Sequence, residues 1–121
     1  MNTFIPGNKT VLVADDDMNL RAFIKAVLER AGCRVIEAYD GKDAVDKFLL
    51  HSSQIDLLVL DVVMPRKNGK DAYDEILKFK PGMKAIFISG YNDDAISKKA
   101  DFIPKPFTSQ ALLSHMNGMF N

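Results

Sequence analysis

The chain has 121 residues, enough for one compact domain with its own apolar core and no metal or disulfide staple. Lysine plus arginine and aspartate plus glutamate both number 16, so no net charge draws the chain toward nucleic acid, and no local basic patch takes its place. The single cysteine, Cys33, excludes an intramolecular disulfide, no apolar run approaches the roughly eighteen residues of a membrane span, and MNTFIPGNKT lacks the regions of a secretion signal. A soluble, cytoplasmic domain is expected.

Thr10 to Ala14 (TVLVA) is an apolar, β-branched run ending in Asp15, Asp16 and Asp17, which predicts a buried parallel strand that delivers acids to its C-terminal edge. Asp17 is placed to cap a helix with Leu20, Phe23, Ile24, Val27 and Ala31 on one face, and Gly32 suits the left-handed position after it. Cys33 to Ala38 reads as a second strand, Asp40-Gly41 as a turn, and Ala44, Val45, Phe48 and Leu49 as the inner face of a helix ending near His51. Leu57 to Leu60 (LLVL) predicts a third strand, followed by Asp61, a loop with Pro65 and Asn68-Gly69, and a helix with Ala72, Tyr73, Ile76 and Leu77 inward, stopped at Pro81-Gly82. Ala85 to Ile88 (AIFI) is a fourth strand and Phe102-Ile103 a short fifth. Leu112, Leu113, Met116 and Phe120 line a last helix capped by Thr108 or Ser109.

Strand and helix thus alternate, which predicts an α/β fold with a parallel sheet, helices on both faces and right-handed crossovers. In such sheets the reactive site lies beyond the carboxyl ends of the strands, where strand order reverses. The polar candidates converge there: Asp15 and Asp16 after the first strand, Asp61 after the third, Ser89-Gly90 after the fourth, and Lys105 after the fifth.

Three carboxylates in one cleft repel one another unless a cation neutralises them. An all-oxygen set without adjacent histidine or cysteine favours a hard ion, and incomplete protein coordination, with room for water and phosphate, suits Mg2+. Lys105 offers a mobile point charge to a phosphate oxygen and Ser89 a hydroxyl donor, so the set predicts phosphoryl transfer. Taken singly, each residue has a plainer role. Asp16 and Asp17 sit where helix caps sit, and Asp17 is expected to do only that. Ser89-Gly90 is an ordinary strand-to-loop step, Lys105 alone would be a surface lysine, and Phe102 reads as core. Asp61 differs, because an acid directly after four large apolar residues needs a partner. His51 and His115 are expected on helix surfaces or ends without an acidic neighbour, outside the chemistry.

The segments VLVADDD, LLVLDVVMP, IFISG and FIPKPF resemble, in order, the signatures of response-regulator receiver domains with the CheY-like fold. The resemblance spans nearly the whole chain. It implies a flavodoxin-like, doubly wound (βα)5 fold with five parallel strands in the order 2-1-3-4-5, residues 1–121 forming a single receiver domain. Position by position, it implies that Asp61 is the phosphoacceptor, Asp15 and Asp16 the acidic pair, Ser89 the switch hydroxyl, Phe102 the switch aromatic and Lys105 the lysine of the KPF motif. It further implies Mg2+ held directly by Asp16, Asp61 and the Val63 carbonyl, with Asp15 acting mostly through water, and a cis Lys105-Pro106 peptide. Val63 and Tyr91 fall where the family tunes loss of phosphate, and slow self-dephosphorylation is expected.

The resemblance also implies partners: a histidine kinase or phosphotransfer protein as donor, and a downstream protein or tethered output domain as reader, with the receiver a monomer or a phosphorylation-linked dimer. MPRKNGKDAYDEI and SGYNDDAISKK are similar to receivers attached to hybrid sensor histidine kinases. The interval from Ser89 to Lys105 is shorter than usual for the family, leaving about two to three turns for a helix between Asp93 and Ala100 at 3.6 residues per turn. That shortened region motivates the alternative of a degenerate receiver serving as a phosphorylation-independent interaction module. A haloacid dehalogenase-type phosphatase is disfavoured because Val63 stands where that family wants a second acid. A flavin carrier is disfavoured because the loop after the first strand is acidic where a phosphate would need amides and hydroxyls.

Overall fold

The computed structural model describes residues 8–90 and 101–120. Among these residues nine elements follow in order: β1 (Thr10–Ala14), α1 (Met18–Arg30), β2 (Arg34–Ala38), α2 (Gly41–His51), β3 (Leu57–Asp61), α3 (Gly69–Phe79), β4 (Ala85–Ser89), β5 (Asp101–Pro104) and α4 (Ser109–Phe120). All strand pairs are parallel and the sheet order is β2-β1-β3-β4-β5, the expected flavodoxin-like order. The region between Asp93 and Ala100, expected to hold a short helix, lies outside the described residues.

The central strands β1, β3 and β4 are buried along their whole length, which is why they read as continuous apolar runs rather than alternating ones. Their side chains still divide by parity. Leu12, Leu58, Leu60, Ala85 and Phe87 pack with Ala44, Val45 and Phe48 of α2 and Ala72, Tyr73 and Ile76 of α3. Val11, Val13, Leu57, Val59, Ile86 and Ile88 pack on the other face with Ile24 and Leu28 of α1 and Leu112 and Met116 of α4. Fully burying one such aliphatic side chain contributes about 1.5–3 kcal/mol, so the two cores fix the sheet and thereby the positions of its strand ends.

Each helix starts with a cap at the C-terminal side of the sheet. Asp17 accepts from the Asn19 and Leu20 amides, Asn68 from the Asp71 amide, and Thr108, rather than Ser109, from the Ala111 amide. Asp40-Gly41 is not a free turn: Asp40 caps α2 through the Asp43 amide at 2.7 Å, and Gly41 is the first helical residue. Gly32, at φ 96°, takes the expected left-handed position after α1.

Some expected inner positions are corrected. Phe23 and Leu49 are 41% and 46% exposed, because each lies at the border of an apolar stripe whose centre is already filled by Ile24 and Phe48. Strand pairing starts at Arg34, leaving Cys33 buried just ahead of β2. Phe102 is half-buried against the α2/α3 core rather than fully inside, as fits the short edge strand β5. His115 does have an acidic neighbour: its Nδ1 pairs with Asp101 Oδ2 across α4 and β5, a contact between residues fourteen apart in the chain that helix periodicity does not reveal.

Candidate functional site

After β1 the chain goes to one side of it to form β2 and then returns to the other side as β3, so strand order reverses between β1 and β3. At that crevice one carboxylate oxygen from each of Asp15, Asp16 and Asp61 lies within 4.8 Å of the other two. Asp15 and Asp61 are buried and Asp16 is exposed.

Asp15 is held by its backbone and by one carboxylate oxygen. Its amide donates to the Ala38 carbonyl at 3.1 Å, its own carbonyl accepts from Arg21 Nη1 at 2.7 Å, and its Oδ1 accepts from the Asp17 amide at 2.9 Å. The Arg21 guanidinium is itself oriented by Glu37 through Nε at 3.1 Å. Asp15 Oδ2 is buried with no hydrogen-bond partner among the described residues. Burial pushes the Asp15 carboxyl up to about 7, against the opposing Asp17 amide, and the Asp61 charge adds to the rise while Lys105 moderates it.

Asp61 ends β3. Its Oδ1 accepts from the Val63 amide at 3.2 Å and its Oδ2 meets Lys105 Nζ at 2.9 Å. Lys105 follows β5, where its amide donates to the Ser89 carbonyl at 2.8 Å, and the Lys105-Pro106 peptide is cis. Burial alone would lower the lysine pKa, but the Asp61 hydrogen bond and charge, with Asp15 and Asp16, raise it above its ordinary value. The ammonium is therefore a fixed positive charge in the crevice.

Ser89 is buried at the end of β4, opposite Pro104 in register and thus next to Lys105. Val63 is 60% exposed at the mouth of the site. Phe102 lies opposite Phe87 in β4, away from the carboxylates and on the α2/α3 side. Tyr91 lies outside the described residues. The structure thus brings together Asp15, Asp16, Asp61, Ser89 and Lys105, with Val63 beside them and Phe102 one layer away.

Two contributors were not singled out from the sequence. Arg21 gives no local signal, since an arginine on the first turns of a helix is ordinarily solvated. Gly69 had one, in Asn68-Gly69, but its reason is steric: a Cβ there would stand 2.2 Å from the Asp61 carbonyl oxygen. Glycine lets the start of α3 close on the backbone that carries Asp61.

Whether these residues suit a cation is answered by their chemistry. The donor set is all oxygen, three carboxylates converge, and one buried carboxylate oxygen, Asp15 Oδ2, has no donor among the described residues. Leaving such an atom unsatisfied is costly, and a hard divalent ion would satisfy it. The residues fit.

No helix among the described residues is long and apolar enough to cross a membrane. The family model for the response regulator receiver domain matches residues 11–117. The chain is 34% identical to the chemotaxis protein CheY of Thermotoga maritima over 116 residues, covering 90% of this chain and 95% of that protein. It is also 33% identical to the sensor kinase CckA of Brucella abortus over 123 residues, covering 97% of this chain but only 13% of the kinase's length. Among solved structures, the CheX-CheY-BeF3-Mg2+ complex from Borrelia burgdorferi aligns with a TM-score of 0.87 at 28% identity, covering 93% of this chain and 90% of that one. The receiver domain of the hybrid histidine kinase CckA aligns with a TM-score of 0.83 at 27% identity, covering 93% and 99%. With its sheet order, its strand-end carboxylates and these likenesses in agreement, the chain belongs to the response regulator receiver domain family of two-component signalling.

Proposed function

We propose that Asp61 accepts a phosphoryl group from a phosphohistidine of a histidine kinase or phosphotransfer protein, and that the modification changes a partner-binding surface. The observation that carries this reading is the contact of Asp61 Oδ2 with Lys105 Nζ at 2.9 Å inside a cluster of three carboxylates, one of whose buried oxygens has no partner among the described residues. A nucleophilic carboxylate, a fixed cation for a phosphoryl oxygen and an acidic pair are the parts that transfer to an aspartate needs.

Asp15, Asp16 and Asp61 with the Val63 carbonyl would hold Mg2+, whose charge, when bound, offsets the negative charge on the transferring group. The Asp61 carboxylate attacks phosphorus as the bond to the donor imidazole nitrogen breaks, and the electron pair of that bond returns to the ring. Lys105 exchanges its contact with Asp61 for one with a phosphoryl oxygen. The Ser89 hydroxyl donates to another, and the space it leaves is taken by Phe102, altering the surface around β5 and α4. Val63, exposed beside Asp61, and Tyr91 screen attacking water and slow the loss of phosphate.

A donor protein must approach past Lys105. A groove of about 440 Å3 lined by Asp17, Leu20, Phe23, Lys105, Pro106 and Phe107 borders that approach. The rings of Phe23 and Phe107, 6.2 Å apart, give it an apolar floor, and this is where the donor is expected to rest. Residues 1–121 act as one receiver unit in the cytoplasm, either alone or joined to a sensor kinase or output domain.

The deciding experiment is intact-mass spectrometry after incubation with phosphoramidate or acetyl phosphate and Mg2+. A labile single phosphoryl adduct, absent from Asp61→Asn and from chelator-treated protein, is expected. A folded protein that gains no adduct from small donors or from a histidine kinase would instead be a phosphorylation-independent interaction module.

A further inference from the structure

The loop of residues 62–68, which carries Val63 from β3 to α3, is fastened to the start of α2 by contacts that the phosphoryl chemistry itself does not use. Arg66 Nε donates to Asp40 Oδ2 at 2.7 Å, and the Arg66 guanidinium stands 5.9 Å from the centre of the Tyr39 ring. The Asp40 side chain is only 3% exposed, so this cation is what satisfies the oxygen left over after Asp40 caps α2. Backbone abuts backbone at the same place, since a Cβ on Gly41 would lie 1.9 Å from the Lys67 carbonyl oxygen.

Arg66 also adopts φ 67°, the left-handed region where glycine is at ease and other L-residues are not. An arginine held in that conformation is offset by what its side chain does there. Burial raises the Asp40 carboxyl pKa, yet the Asp43 amide and the Arg66 guanidinium outweigh it and hold the carboxyl below its ordinary value.

We propose that Asp40 and Arg66 are positioning residues, an ion pair on the far side of loop 62–68 that keeps the Val63 backbone in place for a cation bound by Asp15, Asp16 and Asp61. This rests on the reading of the crevice as a Mg2+ and phosphoryl site. Neither residue belongs to the carboxylate cluster, and the pair would act only through the loop, as outer partners of metal ligands do.

Amide hydrogen exchange in the metal-free protein and Mg2+ titration by calorimetry test it together. The Lys67 and Gly69 amides, which donate to the Pro65 and Val62 carbonyls at 2.7 and 2.9 Å, report on the loop. Arg66→Gly removes the guanidinium and relieves the backbone, so the loop is not disrupted by added strain. Asp40→Asn removes the charge but keeps a capping oxygen for the Asp43 amide. Each is expected to speed exchange of the two amides and weaken Mg2+ binding about tenfold, with the β1 and β3 amides unchanged. The double variant should be no worse than either single one, and Arg66→Lys should recover part of the affinity. Unchanged loop exchange, or faster exchange with unchanged Mg2+ affinity, overturns the proposal. A wild-type protein that binds no Mg2+ overturns the reading of the crevice and the proposal with it, and the exchange data then tell a broken clamp from an intact one.

Discussion

Lys105 Nζ lies 2.9 Å from Asp61 Oδ2, an ammonium set among the three carboxylates of the crevice. It therefore occupies, electrostatically, part of the position that a divalent ion would take. Two effects of its removal oppose each other in function but not in binding. Lys105→Met deletes a positive charge that repels an incoming cation, so Mg2+ affinity is expected to rise several-fold, on the order of 1 kcal/mol when water in the open crevice screens the pair. The same change removes the donor to the transferring group, so the rate of phosphorylation by phosphoramidate at saturating Mg2+ is expected to fall. Calorimetric titration and timed mass spectrometry measure the two, and a parallel fall in both would show that the lysine acts mainly by shaping the site.

The buried Asp15 carboxyl sets a pH dependence on the metal-free protein. Its folded pKa, pushed up to about 7 by burial first and by the Asp61 charge, stands above the ordinary value of 3.8 for the unfolded chain. Between those values the folded state holds a proton that the unfolded state has released, so stability falls as pH rises through the window and levels off above it. With chelator present, the Tm should drop from about pH 5 to about pH 8, a loss on the order of a few kcal/mol from this one group. Asp15→Asn, which cannot ionise, should flatten that slope. Saturating Mg2+ should also flatten it by favouring the ionised carboxylate. A slope that survives Asp15→Asn would assign it to another group.

Much of this was legible before any coordinates, for physical reasons that differ by element. The buried runs TVLVA, LLVL and AIFI announce central parallel strands because both faces must be apolar, and the acids that follow them can only fall on one edge. Asp15, Asp16, Asp61, Ser89 and Lys105 were placed at that edge this way, and there they lie. What was missed depends on distance in space rather than on pattern. Arg21 bonds the Asp15 carbonyl, Arg66 reaches Asp40 across 26 positions, and His115 pairs with Asp101, each through a side chain whose type is ordinarily solvated. Phe23 and Leu49 were placed inside because helical spacing gives the direction of a stripe and not its width, which the packing of neighbouring elements decides. Asp40-Gly41 resembled a turn because capping residues and turn residues are the same types, chosen for the same side-chain to backbone bonds.

Two glycines give opposite expectations from one substitution. Gly69 opens α3 where a Cβ would stand 2.2 Å from the Asp61 carbonyl oxygen and 3.3 Å from the Val62 Cα, all backbone atoms of the strand end that carries the site. Gly69→Ala must therefore displace either the helix start or Asp61, at a cost of about 1–3 kcal/mol for overpacking. The displacement should also slow phosphorylation of Asp61. Gly118 sits in α4 with nothing within 4 Å of an added Cβ, on the exposed side of the helix. There alanine adds helix propensity and removes freedom from the unfolded chain, so Gly118→Ala should stabilise by about 0.5–1 kcal/mol and leave phosphorylation unchanged. Urea denaturation of both variants beside the wild type measures the contrast. Equal and small effects would mean that the start of α3 yields more readily than its close contact with Asp61 requires.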